Sequence, residues 1–425
     1  MTRNFVKQFF LIAAFFFLAI ASQAQYLWNS DSAFKAGSPN SGRIWGYVFG
    51  DFYAKAHSDS ASRGGSNQYS GIPTNRTAFQ FRRIYLGYDY NITDKFSAEL
   101  LLAAEDNFPT GNPTSNVAVA GNTPQSGAGD LTGDGKLTFY IKLANVRWKN
   151  IWKGTDLIVG EVATPAFPLL TEKLWNYRSV ERTISDIRRT PSYDLGASLQ
   201  GKFDAKGNYG YNLMVGNGSS AKPEADNFKW FYGDVYAMFF DKKLVLDLYG
   251  DYERLNWVST WHHSRQMVKG YIAYNTPALT VGVEGYINSL KNDNFATFKT
   301  PAPGGPAVDT MSVTAKGISF YVHGNIVPNK LRFFARYDIY NPDNKINNNV
   351  YSKYVGNTSS YNDPVTKEDF ITAGLDFTPA KNVHFMPNIW YNGYKGQQAA
   401  AIGGSKLKSD YDMVYRMTFY FIFGK

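Results

Sequence analysis

The chain ends in SDYDMVYRMTFYFIFGK (409–425). From Tyr411 every second residue is Tyr, Met, Tyr, Met, Phe, Phe, Phe, while Asp412, Val414, Arg416, Thr418, Tyr420 and Ile422 lie between them. A strand points successive side chains to opposite faces, so this segment has one wholly apolar face and one mixed face. A soluble sandwich would press the apolar face against a second sheet. A membrane barrel would turn it to lipid, with aromatic rings gathering where hydrocarbon gives way to headgroups. The connections along the rest of the chain decide between these solvents.

Hydrophobic alternation predicts sixteen strands, near 43–56, 77–92, 96–106, 136–149, 155–163, 193–204, 208–216, 229–241, 243–254, 265–276, 278–289, 313–326, 331–340, 367–378, 382–394 and 409–424. Short turns recur at TDK (93–95), KNIWKGT (149–155), AKGN (205–208), DKK (241–243), NTP (275–277), VPNK (327–330) and PAKN (379–382). Between them fall long polar connections at 57–76, 107–135, 164–192, 217–228, 254–264, 290–312, 341–366 and 395–408. Short and long connections therefore alternate, the asymmetry of an outer-membrane barrel with tight periplasmic turns and longer outer loops. An even strand count places both chain ends on the periplasmic side. The expected fold is all-β: a sixteen-stranded antiparallel transmembrane β-barrel spanning 25–425, with Phe419 toward lipid and Thr418 toward the lumen.

The N-terminus carries an export signature. Arg3 and Lys7 precede the twelve-residue apolar run FFLIAAFFFLAI (9–20), and small residues at Ser22 and Ala24 suit cleavage before Gln25. Twelve apolar residues are too few for a membrane helix, which needs roughly 20. Residues 1–24 are thus expected to be a signal peptide. The chain has no Cys, which excludes disulfides, thiolate metal sites and lipid attachment through an N-terminal Cys. Aromatics make up 16%, with 30 Tyr and 31 Phe, as expected of a sheet with one apolar and one polar face. The formal charge of +9 would suit anionic partners, and export argues against nucleic acid.

The connection TPAFPLLTEKLWNYRSVERTISDIRRTPS (164–192) holds too many apolar groups for a freely solvated loop, among them Leu169, Leu170, Leu174, Trp175, Ile184 and Ile187. Folded inward against the wall, it would narrow the lumen. It also sets Lys173, Arg178, Arg182, Arg188 and Arg189 against Glu172, Glu181 and Asp186. Arginine stays charged and grips phosphate or carboxylate in a planar fork, so these five cations are the candidate constriction and anion-binding residues. Internal pairing within a surface loop is the competing reading. On the barrel wall, alternation turns Arg83, Lys142, Lys269, Arg332, Arg336 and Arg416 inward. It does the same for Glu99, Glu105, Asp247, Asp251, Glu284, Asp338, Asp376 and Asp412. A lumen carrying both signs sets up transverse fields suited to small polar solutes.

The strand RRIYLGYDYNITDKFSAELLL and the run GEVATPAFPLLTEKLWNYRSVERTISDIRRTPSYDLGASLQGKF resemble the phosphate-selective porin O and P family, in particular its relatives in Bacteroidota-type outer membranes. The resemblance implies a sixteen-stranded diffusion porin, usually trimeric, whose third loop folds inward and whose pore-lining cations retain anions. Within the matching run those cations would be Arg178, Arg182, Arg188 and Arg189.

Two other motifs stand out. GDLTGDGK places Asp130, Thr132, Asp134 and Gly135 at the first spacings of a calcium loop, but Ile141 stands where a bidentate Glu is required. A Gly-Asp turn is the better reading. The five His (His57, His262, His263, His323 and His384) form no helical metal pair, and neither a G-x-S-x-G elbow nor H-E-x-x-H occurs. No enzyme, metal or cofactor is therefore expected. The expected partners are outer-membrane lipid, small hydrophilic solutes or anions, and a homotrimer. A sealed recognition barrel acting through its outer loops is the rival.

Overall fold

A computed structural model of the protein describes residues 39–63, 67–105, 137–188, 191–224, 226–258, 261–343, 347, 349–356, 366–396 and 409–424. The expected signal peptide, the calcium-like motif and connection 107–135 lie outside the described residues, as does Arg189. The strands are β1 (Ser41–His57), β2 (Thr77–Asn91), β3 (Phe96–Glu105), β4 (Tyr140–Trp152), β5 (Thr155–Ala163), β6 (Tyr193–Lys202), β7 (Tyr209–Gly216) and β8 (Trp230–Phe239). They continue as β9 (Leu244–Val258), β10 (Trp261–Asn275), β11 (Leu279–Phe298), β12 (Val308–Val327), β13 (Leu331–Asn341), β14 (Tyr351–Gly356), β15 (Thr366–Ala380), β16 (Val383–Gly396) and β17 (Asp410–Phe423).

All but β14 form one closed antiparallel barrel of sixteen strands. Each pairs with its neighbours in sequence, β13 skips to β15, and β17 returns to β1 from Gly46 opposite Phe423 to His57 opposite Met413. Closure removes every sheet edge, which is what allows a sheet to cross a bilayer with all backbone groups paired. The terminal strand behaves as its alternation requires: Tyr415, Met417 and Phe421 are exposed, whereas Asp412, Val414, Arg416 and Thr418 are buried. On β10 the outward row runs Gln266, Val268, Gly270, Ile272, Tyr274 and then Thr276 past the strand end. The ten steps from 266 to 276, at ~3.4 Å each and tilted by ~40°, rise about 26 Å, matching the roughly 25 Å apolar band of such barrels.

Close packing on the inner face accounts for part of the glycine content. A Cβ on Gly87 would fall 2.3 Å from the Trp45 ring, and one on Gly282 equally near Tyr321, so these rings lie flat over neighbouring strands. The short turns carry residues at positive φ, such as Gly154 at +82° between β4 and β5.

The connections differ from expectation in four places. β9 and β10 extend to Val258 and from Trp261, so 254–264 is the tip of a hairpin. β11 and β12 run on to Phe298 and from Val308, filling most of 290–312 with paired strand. Connection 341–366 contains β14, which pairs with the projecting end of β11, where Asn294 faces Gly356. Turn residues could mark where pairing with both neighbours stops, but not that a single hairpin continues beyond the rim. Connection 57–76 also turns inward: the Tyr69 hydroxyl donates to Asp51 at 2.6 Å, and its ring meets Trp390 edge-on at 5.3 Å.

Two β-bulges adjust the inner face. Phe49 faces Arg83 and Gly50 faces Phe81, which leaves Arg82 as an extra residue on β2. Leu101 faces Leu143 and Leu102 faces Ile141, which leaves Lys142 extra on β4. A bulge shifts the alternation by one, so Arg82 and Arg83 are both buried on the inner face.

Candidate functional site

The segment between β5 and β6 is closed at its base, where the Thr164 hydroxyl donates to the Pro191 carbonyl at 2.7 Å. It contains two short helical turns, α1 (Thr171–Trp175) and α2 (Ile184–Ile187), the second capped by the Thr183 hydroxyl accepting from Asp186 N–H. Asn176, in the left-handed conformation at φ 57°, ends α1 and reverses the chain. Its apolar side chains are buried in two clusters. Leu170, Leu174, Trp175, Tyr177 and Val180 pack on Met238, Tyr271, Tyr321, Phe334 and Met386, while Ala166, Phe167 and Ile184 pack on Ile158, Met214, Trp230, Tyr249 and Met267. These partners come from β5, from β7 to β10, and from β12, β13 and β16. The segment therefore enters the barrel and lies across its lumen.

Polar contacts fix it to the wall on more than one side, to β12–β17 and, through Arg82, to β2. His323 Nε2 is 2.8 Å from the Leu174 carbonyl, and the Tyr177 hydroxyl donates to Asp376 at 3.2 Å. Arg188 makes a bidentate pair with Glu368 at 2.7 and 3.0 Å and stacks 4.0 Å over the Tyr340 ring. Glu368 also accepts from Asn67 at 2.7 Å and Asn392 at 2.6 Å, so the two inward connections share one carboxylate. Arg82 Nη1 donates to the carbonyls of Ser179 (2.9 Å) and Val180 (3.0 Å), Arg416 donates to Val180 (3.0 Å), and Arg336 donates to Arg182. The Glu181 carboxylate accepts from the Trp390 indole at 2.8 Å. Burial would raise the Glu181 pKa, but Arg82, Arg182 and Arg416, with that indole N–H, hold it below its ordinary value.

The remaining face of the segment looks toward β1–β4 and keeps some solvent exposure. It presents Glu172, Arg178, Arg182 and Asp186, whose side chains are 20%, 14%, 22% and 11% exposed. Arg178 bridges Asp186 at 2.7 Å and Glu172, and Arg182 lies 3.8 Å from Asp186. On the opposing wall, Glu105 accepts from Lys142 and from the Tyr85 hydroxyl, both at 2.6 Å, with Arg83 at 3.5 Å. Lys142 sits 4.3 Å over the Tyr193 ring, and the Tyr193 hydroxyl donates to Tyr140 at 2.9 Å. Arg178 is within electrostatic reach of Glu105, Tyr47 and Tyr85. Two ionic surfaces, one on the inward segment and one on β2–β4, thus face each other between tyrosines.

The sequence-derived residues divide by place. Arg178, Arg182, Arg83, Lys142 and Glu105 lie on these two facing surfaces. Lys173 is exposed on α1, and Arg188 is buried on the far wall. The remaining wall residues face inward elsewhere. Lys269 pairs with Asp247 at 3.3 Å, and Glu284 lies beside Lys269 and Ser185. Arg336 chelates Asp338, and Arg332 is 3.0 Å from His323. Glu99 accepts from Asn145 at 3.3 Å, Asp412 pairs with Lys55 at 2.6 Å, and Asp376 lies 2.8 Å from His384. Asp251 accepts from Tyr249 at 2.7 Å. Among the described residues no group of three or more His, Asp or Glu is placed to hold a metal ion.

Sequence reasoning overlooked Arg82, Asp51, Glu368 and Trp390. For Arg82 a signal existed. In FQFRRIYLGY the apolar row runs Phe79, Phe81 and then Ile84, Leu86, Tyr88, slipping phase at the Arg pair. Such a slip marks a bulge. Nothing local marks Glu368 or Trp390, whose partners lie 180 and 209 residues away.

No protein-family model and no curated protein sequence matches the chain. The likeness to phosphate-selective porins therefore rests on the quoted runs alone. Solved structures do match. The outer membrane channel DcaP of Acinetobacter baumannii is 11% identical over 91% of this chain and 98% of that one, with a TM-score of 0.58. OmpF of Salmonella typhi, solved with daunomycin, is 9% identical over 90% and 98%, with a TM-score of 0.53. OmpT of Vibrio cholerae is 11% identical over 91% and 99%, with a TM-score of 0.51. At such identities the likeness establishes the barrel fold and nothing finer.

Proposed function

We propose that the chain is an outer-membrane porin through which small hydrophilic solutes diffuse down their gradients. The observation that carries this is the pair of facing ionic surfaces on the inward segment and β2–β4, where Glu172, Arg178, Arg182 and Asp186 stay partly exposed inside a barrel with an apolar outer wall and Arg83, Glu105 and Lys142 stand buried opposite them. Charges of both signs would order water across such a gap and favour small polar solutes. Arg83, Lys142, Arg178 and Arg182 face Glu105, Glu172 and Asp186, an excess of one positive charge when Glu181, 3.9 Å from Arg182 but buried and turned to the Trp390 indole, is left out of the count; that excess supports a mild preference for anions of the phosphate type. Low-dielectric walls would focus that field, and salt would weaken it as the Debye length falls from about 10 Å at 0.1 M to 3 Å at 1 M.

Export with removal of residues 1–24, outer-membrane residence and trimeric assembly belong to the same reading. N-terminal sequencing of the mature protein, membrane fractionation and native mass in detergent check them. Insertion into planar bilayers tests the central claim. Discrete conductance steps with a reversal potential on the anion side at low salt are expected, and an electrically silent bilayer would overturn it. A silent bilayer would favour the second reading, a sealed barrel working through its outer surface. That reading draws on the extent to which the segments around Trp175, Tyr177 and Tyr69 fill the lumen.

A further inference from the structure

The outstanding feature that diffusion does not use is the convergence of three wall arginines on the inward segment's backbone. We propose that Arg82, Arg336 and Arg416 are positioning residues: they clamp the turn at 177–182 by its carbonyl oxygens and so fix the width of the passage, rather than presenting their charges to solutes. The inference rests on the porin reading, because it says what sets that passage.

The turn is a single helical loop, in which Val180 and Glu181 N–H both bond the Tyr177 carbonyl at 2.8 and 3.0 Å. Its own next carbonyls accept from side chains. Those of Ser179 and Val180 accept from Arg82, Val180 accepts again from Arg416, Glu181 from the Trp175 indole at 2.8 Å, and Arg182 from Arg336. Each arginine is also held on its own wall. Arg82 lies 3.5 Å from Asp51, Arg336 chelates Asp338, and Arg416 Nε donates to Asn388 at 2.7 Å. None is more than 4% exposed. A guanidinium can hold segment and wall at once because its five N–H groups are fixed in a plane, through hydrogen bonds on both sides for Arg336 and Arg416 and through hydrogen bonds plus an ion pair for Arg82, whereas an ammonium is a point charge on a flexible stem. The β2 bulge belongs to the device, since without the extra residue Arg82 and Arg83 could not both face the lumen.

Charge and fork are separable by experiment. Arg82→Lys with Arg416→Lys keeps both positive charges and removes the forks, and Arg82→Gln with Arg416→Gln removes both. Two readouts apply: single-channel recording, and the motion of a nitroxide on Lys173→Cys, feasible because the chain has no Cys of its own. The clamp predicts that the Lys pair behaves like the Gln pair, with a mobile nitroxide and raised, fluctuating conductance, while the Lys pair keeps the wild-type reversal potential. A Lys pair with wild-type conductance and an immobile nitroxide would overturn the clamp. Should either pair fail to give a heat-resistant folded band, the single Arg416→Lys, which retains both Arg82 bonds, takes its place. It must then raise the nitroxide's mobility or the clamp is wrong. Wild-type protein that never conducts would defeat the porin reading, yet the nitroxide would still decide the clamp.

Discussion

Leu248→Arg tests the assignment of the outer face to lipid. Leu248 is 57% exposed on β9 and lies opposite Gly270 of β10. Gly270 is four steps from Gln266 and six from Thr276, the polar residues that bound the outward row, so Leu248 sits near the middle of the apolar band. An arginine at the midplane of a barrel's outer face costs about 2–4 kcal/mol, and one near an interface about 0–1. Leu248→Arg should therefore lower the folded-to-unfolded ratio by roughly 30- to 900-fold. Gln266→Arg, on the same outward surface at the band's edge, should cost less than about 1 kcal/mol. Reversible urea unfolding in phospholipid vesicles, followed by tryptophan fluorescence, measures both. Equal destabilisation of the two variants would refute the depth assignment. A negligible cost for Leu248→Arg would refute the lipid-facing assignment itself, because a water-facing strand tolerates that change.

Arg188→Ala should cost about 3–5 kcal/mol, because it strands the buried Glu368 carboxylate, yet should barely move the reversal potential; a large selectivity shift would place Arg188 at the passage. Arg182→Ser, in contrast, should move the reversal potential toward cation preference at 0.1 M salt, and an unchanged value would remove that residue from the conducting path. Glu181 has a pKa depressed in the folded state, so its stabilising contribution is complete above the ordinary carboxylate range and is lost as pH falls below that range. Glu181→Gln should accordingly flatten the acid limb of the unfolding curve, and an unaltered limb would count against the network. A cysteine at Ala302, in the β11–β12 hairpin loop, should react with an impermeant maleimide in intact cells, whereas one at Lys206 should not; the reverse pattern would invert the topology.

The sixteen barrel strands, their faces and the inward turn of 164–192 were legible in the sequence because each depends on short-range pattern. Period-two alternation assigns Tyr415 and Met417 to one solvent and Arg416 and Thr418 to another, whatever surrounds them. The apolar load of Leu170, Leu174 and Trp175 likewise requires cover. What the inward side chains do there was settled by the closed barrel, which sets residues from distant strands around one lumen. Thr418 shows the difference. Alternation turned it toward the lumen, but there it is wholly buried and donates to Asp51, 367 residues away, while accepting from Asn388. Arg178 and Arg188 read alike as loop cations. Only the path of the segment across the lumen puts one between Glu172 and Asp186 on its partly exposed face and the other against Glu368 on the far wall. A charge's effect depends on which charges stand within a few ångströms of it, and for these residues tertiary contacts between distant strands supply that neighbourhood.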